Sequence, residues 1–342
     1  MNSVKRNGII DIYRLIAILI IMDNHIGMAG LMPIFPGGYL AVEFFLFLTG
    51  YLTCRHFDKA SIVDEKPPFA LKAKSVILYT FNKFKAYVPL IMVFVLAQYI
   101  LTYIVCYDSF PGRQEFLCFI NDLPNEMLLL KTAYGSPLVG PLWYMSALFI
   151  VFPVFCLFLQ LFDRYTFTII ALLASIIYIG KFGIGDYFAY PMCLPRAFFE
   201  LLIGALIYYG GAFYINSFYE KVNTGVLVVI ELLLIGFTVL LYRDGYDYAC
   251  YLLLWSLVLV VSVGMSPKLS GIGAVWTAFL GKLSLPLFVT HWFVVTYIGI
   301  YHVGWADSMK RIVFYAGSVI LSLLYMLVSH MFNLKRIRDK VA

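Results

Sequence analysis

Charge is what this chain has least of. Asp, Glu, Lys and Arg together make up 13% of 342 residues, against 62% that are hydrophobic, and that balance excludes an ordinary soluble domain. Cysteine is sparse: six residues with no C-x-x-C spacing, which argues against a thiolate metal centre, and no metal is expected. Histidine is scarcer still, at five, so any histidine inside an apolar run needs a reason. There is no short internal repeat, no low-complexity tract and nothing resembling a nucleic-acid module. The net charge of +6 lies in loops and tail, where basic residues report topology rather than nucleic-acid binding. Pairs of broken helices, which would suggest a secondary transporter, are not apparent.

What is present in quantity is apolar sequence of membrane-spanning length. Such stretches fall near residues 9–28, 38–55, 87–106, 140–162 and 165–181, and again near 196–213, 224–242, 247–264, 276–300 and 312–333. About twenty apolar residues suffice to cross a bilayer as a helix. The expected fold is therefore an all-α integral membrane protein of about ten transmembrane helices, a single polytopic domain over residues 1–342. Asp11, Arg14 and Asp23 make the first stretch unlike a cleaved signal peptide.

An even number of spans puts both termini on one side, and basic loops choose which. Lys5 and Arg6 precede the first stretch. Arg55, Lys59, Lys66, Lys72, Lys74, Lys83 and Lys85 follow the second, and Lys335, Arg336, Arg338 and Lys340 close the chain. All of these are expected in the cytoplasm. The 107–139 loop, with Asp108, Glu115, Asp122 and Glu126 against Arg113 and Lys131, is then outside. Cys106 and Cys118 sit in or near that loop and could pair, although two unpaired small hydrophobes is the simpler expectation. Near residues 67–86, Pro67-Pro68 introduce a run in which Phe69, Leu71, Val76, Ile77, Phe81 and Phe84 alternate with lysines. That pattern reads as a basic amphipathic helix on the inner leaflet, and also as a cationic lip for a phosphate-bearing ligand.

The first apolar stretch holds the most informative pair. Arg14 and His25 are eleven residues apart, so on a continuous helix they lie within roughly 20° of one face and ~16 Å apart along the axis. Ionisable groups inside a membrane span are by default candidates for function. Asp11, one turn before Arg14, is placed to pair with its guanidinium. Asp23 falls about 180° away and is expected to be a wet helix end. A lone histidine at a membrane boundary is more often bonded to a loop carbonyl; the arginine on the same stripe favours a functional role. An imidazole titrates near neutrality and can take a proton from a hydroxyl, as acyl or phosphoryl transfer to a sugar requires.

Other ionisable residues inside spans have two readings each. Glu43 could orient the imidazole of His25 or bond a neighbouring helix. His291 could line a cavity or brace helices. Arg196 and Glu200 have i, i+4 spacing and could simply pair, or Arg196 could bind an acceptor. Trp143 could stack on a sugar ring or anchor the interface. Glu231, deep in the seventh stretch, needs a partner that the sequence does not name.

Five segments together resemble the membrane acyltransferase-3 family of integral membrane O-acyltransferases. They are the R-x10-H of Arg14 and His25, the stretch from Gly37-Gly38 through Glu43-Phe44-Phe45 to Thr49-Gly50, and Leu142-Trp143-Tyr144-Met-Ser146 leading to Pro153. The last two are Pro195-Arg196 through Glu200 to Gly204, and Ser284-Leu-Pro286 through Thr290-His291-Trp292. The likeness spans the chain in order. Two features depart from it: a Glu that many relatives carry near Leu148, and an R-x-x-R stretch represented here only by Lys83-Phe84-Lys85-Ala86. Lysine binds phosphate as a point charge without arginine's fork.

The resemblance implies transfer of an acyl group, usually acetyl, from cytoplasmic acyl-CoA to a hydroxyl of a cell-surface glycan or lipid-linked sugar. It places the protein in the cytoplasmic (inner) membrane of a bacterium, surrounded by lipid. His25 would act as general base with Glu43 beside it, Arg14, Lys83 and Lys85 would hold the acyl-CoA, and Trp143, Arg196 and His291 would contact the acceptor. A transporter or flippase for a lipid-linked sugar or acyl carrier would use the same intramembrane charges, but should tolerate His25→Gln better. A glycan polymerase would more naturally carry a long outer loop with arginines.

Overall fold

Each of the ten apolar stretches is helical in the computed structural model, which describes residues 7–60, 68–106, 113–182, 192–219, 222–264 and 274–341. Among the described residues there are twelve α-helices and no strand. They are α1 (Gly8–His25), α2 (Val42–Ala60), α3 (Phe69–Phe84), α4 (Val88–Cys106), α5 (Arg113–Met127) and α6 (Leu142–Leu161). Then follow α7 (Arg164–Phe182), α8 (Cys193–Tyr219), α9 (Thr224–Asp244), α10 (Tyr248–Gly264), α11 (Ala274–Tyr301) and α12 (Asp307–Val341). Six of them, α4, α6, α8, α9, α11 and α12, are long and apolar enough to cross a membrane. α7 and α10 carry shorter apolar segments, and α1 and α2 are interrupted by the charges that make them interesting.

Three expected boundaries move. The second stretch does not become α-helix until Val42, because Pro36-Gly37-Gly38 form the approach and Gly38–Ala41 make a 3₁₀ turn lying on the backbone of Ile20. The expected 107–139 loop contains α5, which packs on α4 through Tyr99 and Phe119. The last helix continues to Val341 instead of stopping near 333. The side chains of Cys106 and Cys118 and those of the basic tail lie outside the described residues. Cys54, Cys156, Cys193 and Cys250 are free thiols.

Contacts at the ends fix helix directions. Asn7 caps α1, accepting from Ile9 N–H at 3.1 Å, and donates its amide to Ser262 O at the end of α10. Gly8 abuts Thr277 near the start of α11. At the other end, Gly299 of α11 rests on the carbonyl of Met28, and Lys310 of α12 donates to Ala29 O at 3.3 Å. α1 and α11 therefore run side by side in the same direction, and α12 returns. α11 is the most enclosed of the apolar helices, with 61% of its span buried against 17% for α12, which makes α11 the central post and α12 an outer stave.

The outer helices turn apolar side chains outward. Val226, Val229, Leu232, Leu233, Phe237 and Leu240 of α9 are all exposed, a patch that water would penalise and lipid accommodates. α3 likewise exposes Phe69, Leu71, Ile77, Leu78 and Phe81 while burying Val76, Thr80 and Phe84. Its Lys72 ammonium donates to Gln160 O at the end of α6.

α2 and α8 make the closest helix contact, and glycine permits it. A Cβ on Gly50 would meet the carbonyl of Leu201, and one on Gly204 would meet the carbonyl of Phe47. Small residues let helix backbones approach where no hydrophobic force drives them together. Gly204→Ala is expected to destabilise the protein by about 1–3 kcal/mol, the usual cost of overpacking, read as a lower midpoint of thermal unfolding in detergent. An unchanged midpoint would mean that this crossing is looser than it looks.

Candidate active site

His25 is the last residue of α1 and is half-buried. Its Nδ1 lies 2.9 Å from Nε2 of His291, and the two rings are nearly parallel, 10° apart with centroids at 5.1 Å. His291 is fully buried in the middle of α11, and its other nitrogen, Nδ1, is 2.9 Å from the carbonyl of Leu287 one turn earlier. Trp292 meets the His25 ring edge-on at 5.2 Å. Its indole N–H donates to Leu138 O at 3.2 Å.

Leu138 is itself pinned. The carboxylate of Glu126 accepts from the N–H groups of Leu138 at 2.9 Å and Val139 at 2.6 Å, and from Tyr99 OH at 3.1 Å. Glu126 looked like one more charge on a wet outer loop; it is buried instead, and through Leu138 and Trp292 it braces the His25 ring.

Asp23 also departs from expectation. It is 1% exposed, accepting from Phe35 N–H and Tyr315 OH, each at 2.8 Å, with Arg311 at 3.7 Å. A carboxylate pointing away from the Arg14 stripe thus ties the loop after His25 to α12.

At the opposite end of α1, Arg14 pairs with Asp11 at 3.2 Å and keeps 29% of its side chain exposed. α1 is one unbroken helix, so Arg14 and His25 share its face at the ~16 Å separation set by helix rise. Lys83, Tyr87 and Tyr144 are within electrostatic reach of the guanidinium. The Lys83 ammonium sits 4.3 Å from the centre of the Phe152 ring, and burial pushes it down to about 8. Lys85, expected beside Lys83, is exposed and bonded to Asn82 at 2.6 Å; positions two apart on a helix point about 160° apart, so this pair is split. A cavity of about 850 Å³ lies between α4, α11 and α12, lined by Tyr87, Leu90, Lys282, Pro286, Tyr325 and His330 among others.

Glu43 does not orient His25. Arg196 claims it in a fully buried ion pair that also holds Glu200, with Arg196 Nε 3.2 Å from Glu200. Tyr248 OH donates to Glu200 at 2.6 Å, and the Tyr178 and Tyr248 hydroxyls are 3.0 Å apart. Trp143 lies over the guanidinium at 4.9 Å. Arg196 is 1% exposed, so this group joins α2, α6, α8 and α10 rather than offering a cation to an acceptor. The i, i+4 spacing announced the Arg196–Glu200 half of it; the Glu43 half joins positions 153 residues apart and has no local signature. Glu231 finds its partners in Tyr13 OH at 3.0 Å and Ser262 Oγ at 3.4 Å.

Among the described residues no cluster of His, Cys, Asp and Glu is placed to hold a metal ion. What the arrangement offers is a cationic patch at one end of a helix and an imidazole pair at the other. Residues 7–331 match the acyltransferase-3 family model, described as an acyltransferase domain. The chain belongs to the acyltransferase-3 family. No curated protein and no solved structure matches it. Family membership with these apolar helices makes the protein a membrane acyltransferase, and acyl transfer takes the place of the flippase and polymerase readings. Within this acyltransferase-3 chain, His25, Arg14 and Lys83 are partly exposed, while Glu43, Arg196 and His291 are buried on protein partners.

Proposed function

We propose that this acyltransferase moves an acyl group, acetyl being the expected one, from acyl-CoA to a hydroxyl of a cell-surface glycan or lipid-linked sugar. The observation that carries this reading is the placement of a half-buried imidazole at the end of an unbroken helix and a partly exposed guanidinium three turns earlier on the same face. The donor is a long molecule with charged phosphates at one end and a thioester at the other. Arg14 and Lys83 hold the phosphates, and His25 takes the proton of the acceptor hydroxyl as its oxygen bonds to the thioester carbonyl carbon. The carbon–sulfur bond then breaks, and the imidazolium returns its proton to the departing thiolate. Basic loops favour the inner membrane with the Arg14 end and both termini facing the cytoplasm, which puts donor and acceptor on opposite sides. In this arrangement α1, α2, α7 and α10 cross the bilayer with the six longer helices, and α3 lies on its inner surface.

Supplying radiolabelled acetyl-CoA to membranes containing the protein, then separating the glycans, tests the proposal. Label should enter a glycan fraction; no transfer from any short acyl-CoA would overturn it. Lys83 adds a pH signature. Because burial lowers its ammonium to about 8, the group is charged below that pH and neutral above it. The KM for acyl-CoA is expected to rise as pH passes about 8, and Lys83→Arg, which stays charged, should flatten that rise. A KM that ignores pH, or an Arg variant with the wild-type profile, would remove Lys83 from the donor site.

A further inference from the structure

We propose that His291 is a positioning residue: it fixes His25 as the tautomer with its proton on Nδ1, so that Nε2 is the basic nitrogen offered to the acceptor hydroxyl. Leu287 fixes the first proton. A carbonyl only accepts, so the 2.9 Å contact with Nδ1 of His291 requires a proton on that nitrogen. A neutral imidazole carrying its proton on Nδ1 has a bare Nε2. That bare nitrogen lies 2.9 Å from Nδ1 of His25, which must therefore be the donor. One proton on Nδ1 of a neutral His25 leaves Nε2 with its lone pair, and no hydrogen bond to a described residue occupies it.

Reversing the chain defeats the chemistry. If His291 presented an N–H from Nε2 while keeping the one on Nδ1, it would be a cation in a fully buried position. Its ring neighbours there are Phe288 and Phe314, and a buried charge without a counter-ion is costly. His25 would then carry its own proton on Nε2 and have no base to offer. The inferred direction also improves as the reaction proceeds. When Nε2 of His25 takes the hydroxyl proton, the ring becomes an imidazolium, and its Nδ1–H bond to the neutral His291 becomes charge-assisted and roughly twice as strong. His291 thus stabilises charge that exists only after proton transfer, which is the kind of interaction that raises kcat. A histidine that merely braced α11 would be satisfied by Leu287 alone; aiming its second nitrogen at His25 is what a bracing role does not require.

The kinetic arm of the test rests on the transferase reading above; the spectroscopic arm does not. His291→Phe fills the site and accepts nothing, whereas His291→Gln places an amide oxygen near the former Nε2. His291→Phe should lower kcat by roughly 10²–10⁴-fold, the contribution of a general base in its correct tautomer, with KM for acyl-CoA within about twofold of wild type. His291→Gln should recover most of the lost kcat. Independently, nitrogen-15 spectra of histidine-labelled protein in nanodiscs, assigned with single variants, should show the His25 proton on Nδ1 in the wild type and on Nε2 in His291→Phe. Equal loss in the Phe and Gln variants, a loss confined to KM, or a wild-type His25 protonated on Nε2 would each overturn the proposal. Absence of acyl transfer by wild-type membranes would sink the transferase reading, and the spectra alone would then decide the tautomer.

Discussion

His25→Ala is expected to lower acyl transfer by roughly 10²–10⁴-fold, the usual worth of a general base, while leaving the protein in the membrane at its normal level. The structure explains why the two effects separate. His25 ends α1 and is only half-buried, so its removal does not hollow the core around Tyr13, Ala17 and Ile21, which are fully buried further down the same helix. His291 keeps its bond to Leu287, and solvent entering through the opening that exposed His25 can satisfy the nitrogen left behind. Arg14, three turns away, is untouched, so KM for acyl-CoA should stay close to wild type. Initial rates of label transfer at saturating donor, normalised to protein in the membrane, are the measurement. Retention of more than about a tenth of the rate would contradict the general-base role, since the smallest such contribution is on the order of 10².

The second large effect is on stability. Arg196→Met is expected to destabilise the protein by about 3–5 kcal/mol, because it strands two buried carboxylates without their cation. Glu43→Gln should cost far less. The cluster has two acids and one guanidinium, so neutralising one acid leaves a balanced pair with Glu200, and an amide can still accept from Arg196. Each acid has one buried carboxylate oxygen, Oε2, without a hydrogen bond, but Glu200 also accepts from Tyr248 whereas Glu43 has Arg196, which makes Glu43 the weaker half of the group. Unfolding in a detergent series, followed as loss of monodisperse protein, distinguishes the two variants. Equal damage from both, or a tolerated Arg196→Met with altered acceptor preference, would return Arg196 to the role of a substrate contact.

These two residues show what was legible in the sequence and what was not. Helix positions came from runs of apolar residues, a signal carried by some twenty side chains at once, and all ten runs are helical. Arg14, Asp11 and His25 were readable because they share one helix and a 3.6-residue period converts spacing directly into direction. Partners on different helices have no such conversion. His291 is 266 residues from His25, and the sequence offered Glu43 for its task on grounds of depth alone. His25 ends α1 and Glu43 lies in the first turn of α2, which suggests a common depth, but depth does not report azimuth, and Arg196 turned Glu43 away. Asp23 and Glu126 were misjudged for a related reason. A carboxylate beside loop sequence reads as solvated, yet loop N–H groups at Phe35, Leu138 and Val139 need acceptors when buried, and these two acids supply them.

One consequence of the unbroken α1 concerns the size of the donor. A helix does not stretch, so on the proposed donor site the distance between its guanidinium and its imidazole would work as a gauge that a carrier arm either spans or does not. A thioester built on a truncated arm would reach the imidazole without touching the guanidinium, and its reaction would be indifferent to the loss of Arg14. On the donor site proposed above, the enzyme would measure the handle on which the acyl group arrives rather than the acyl group itself.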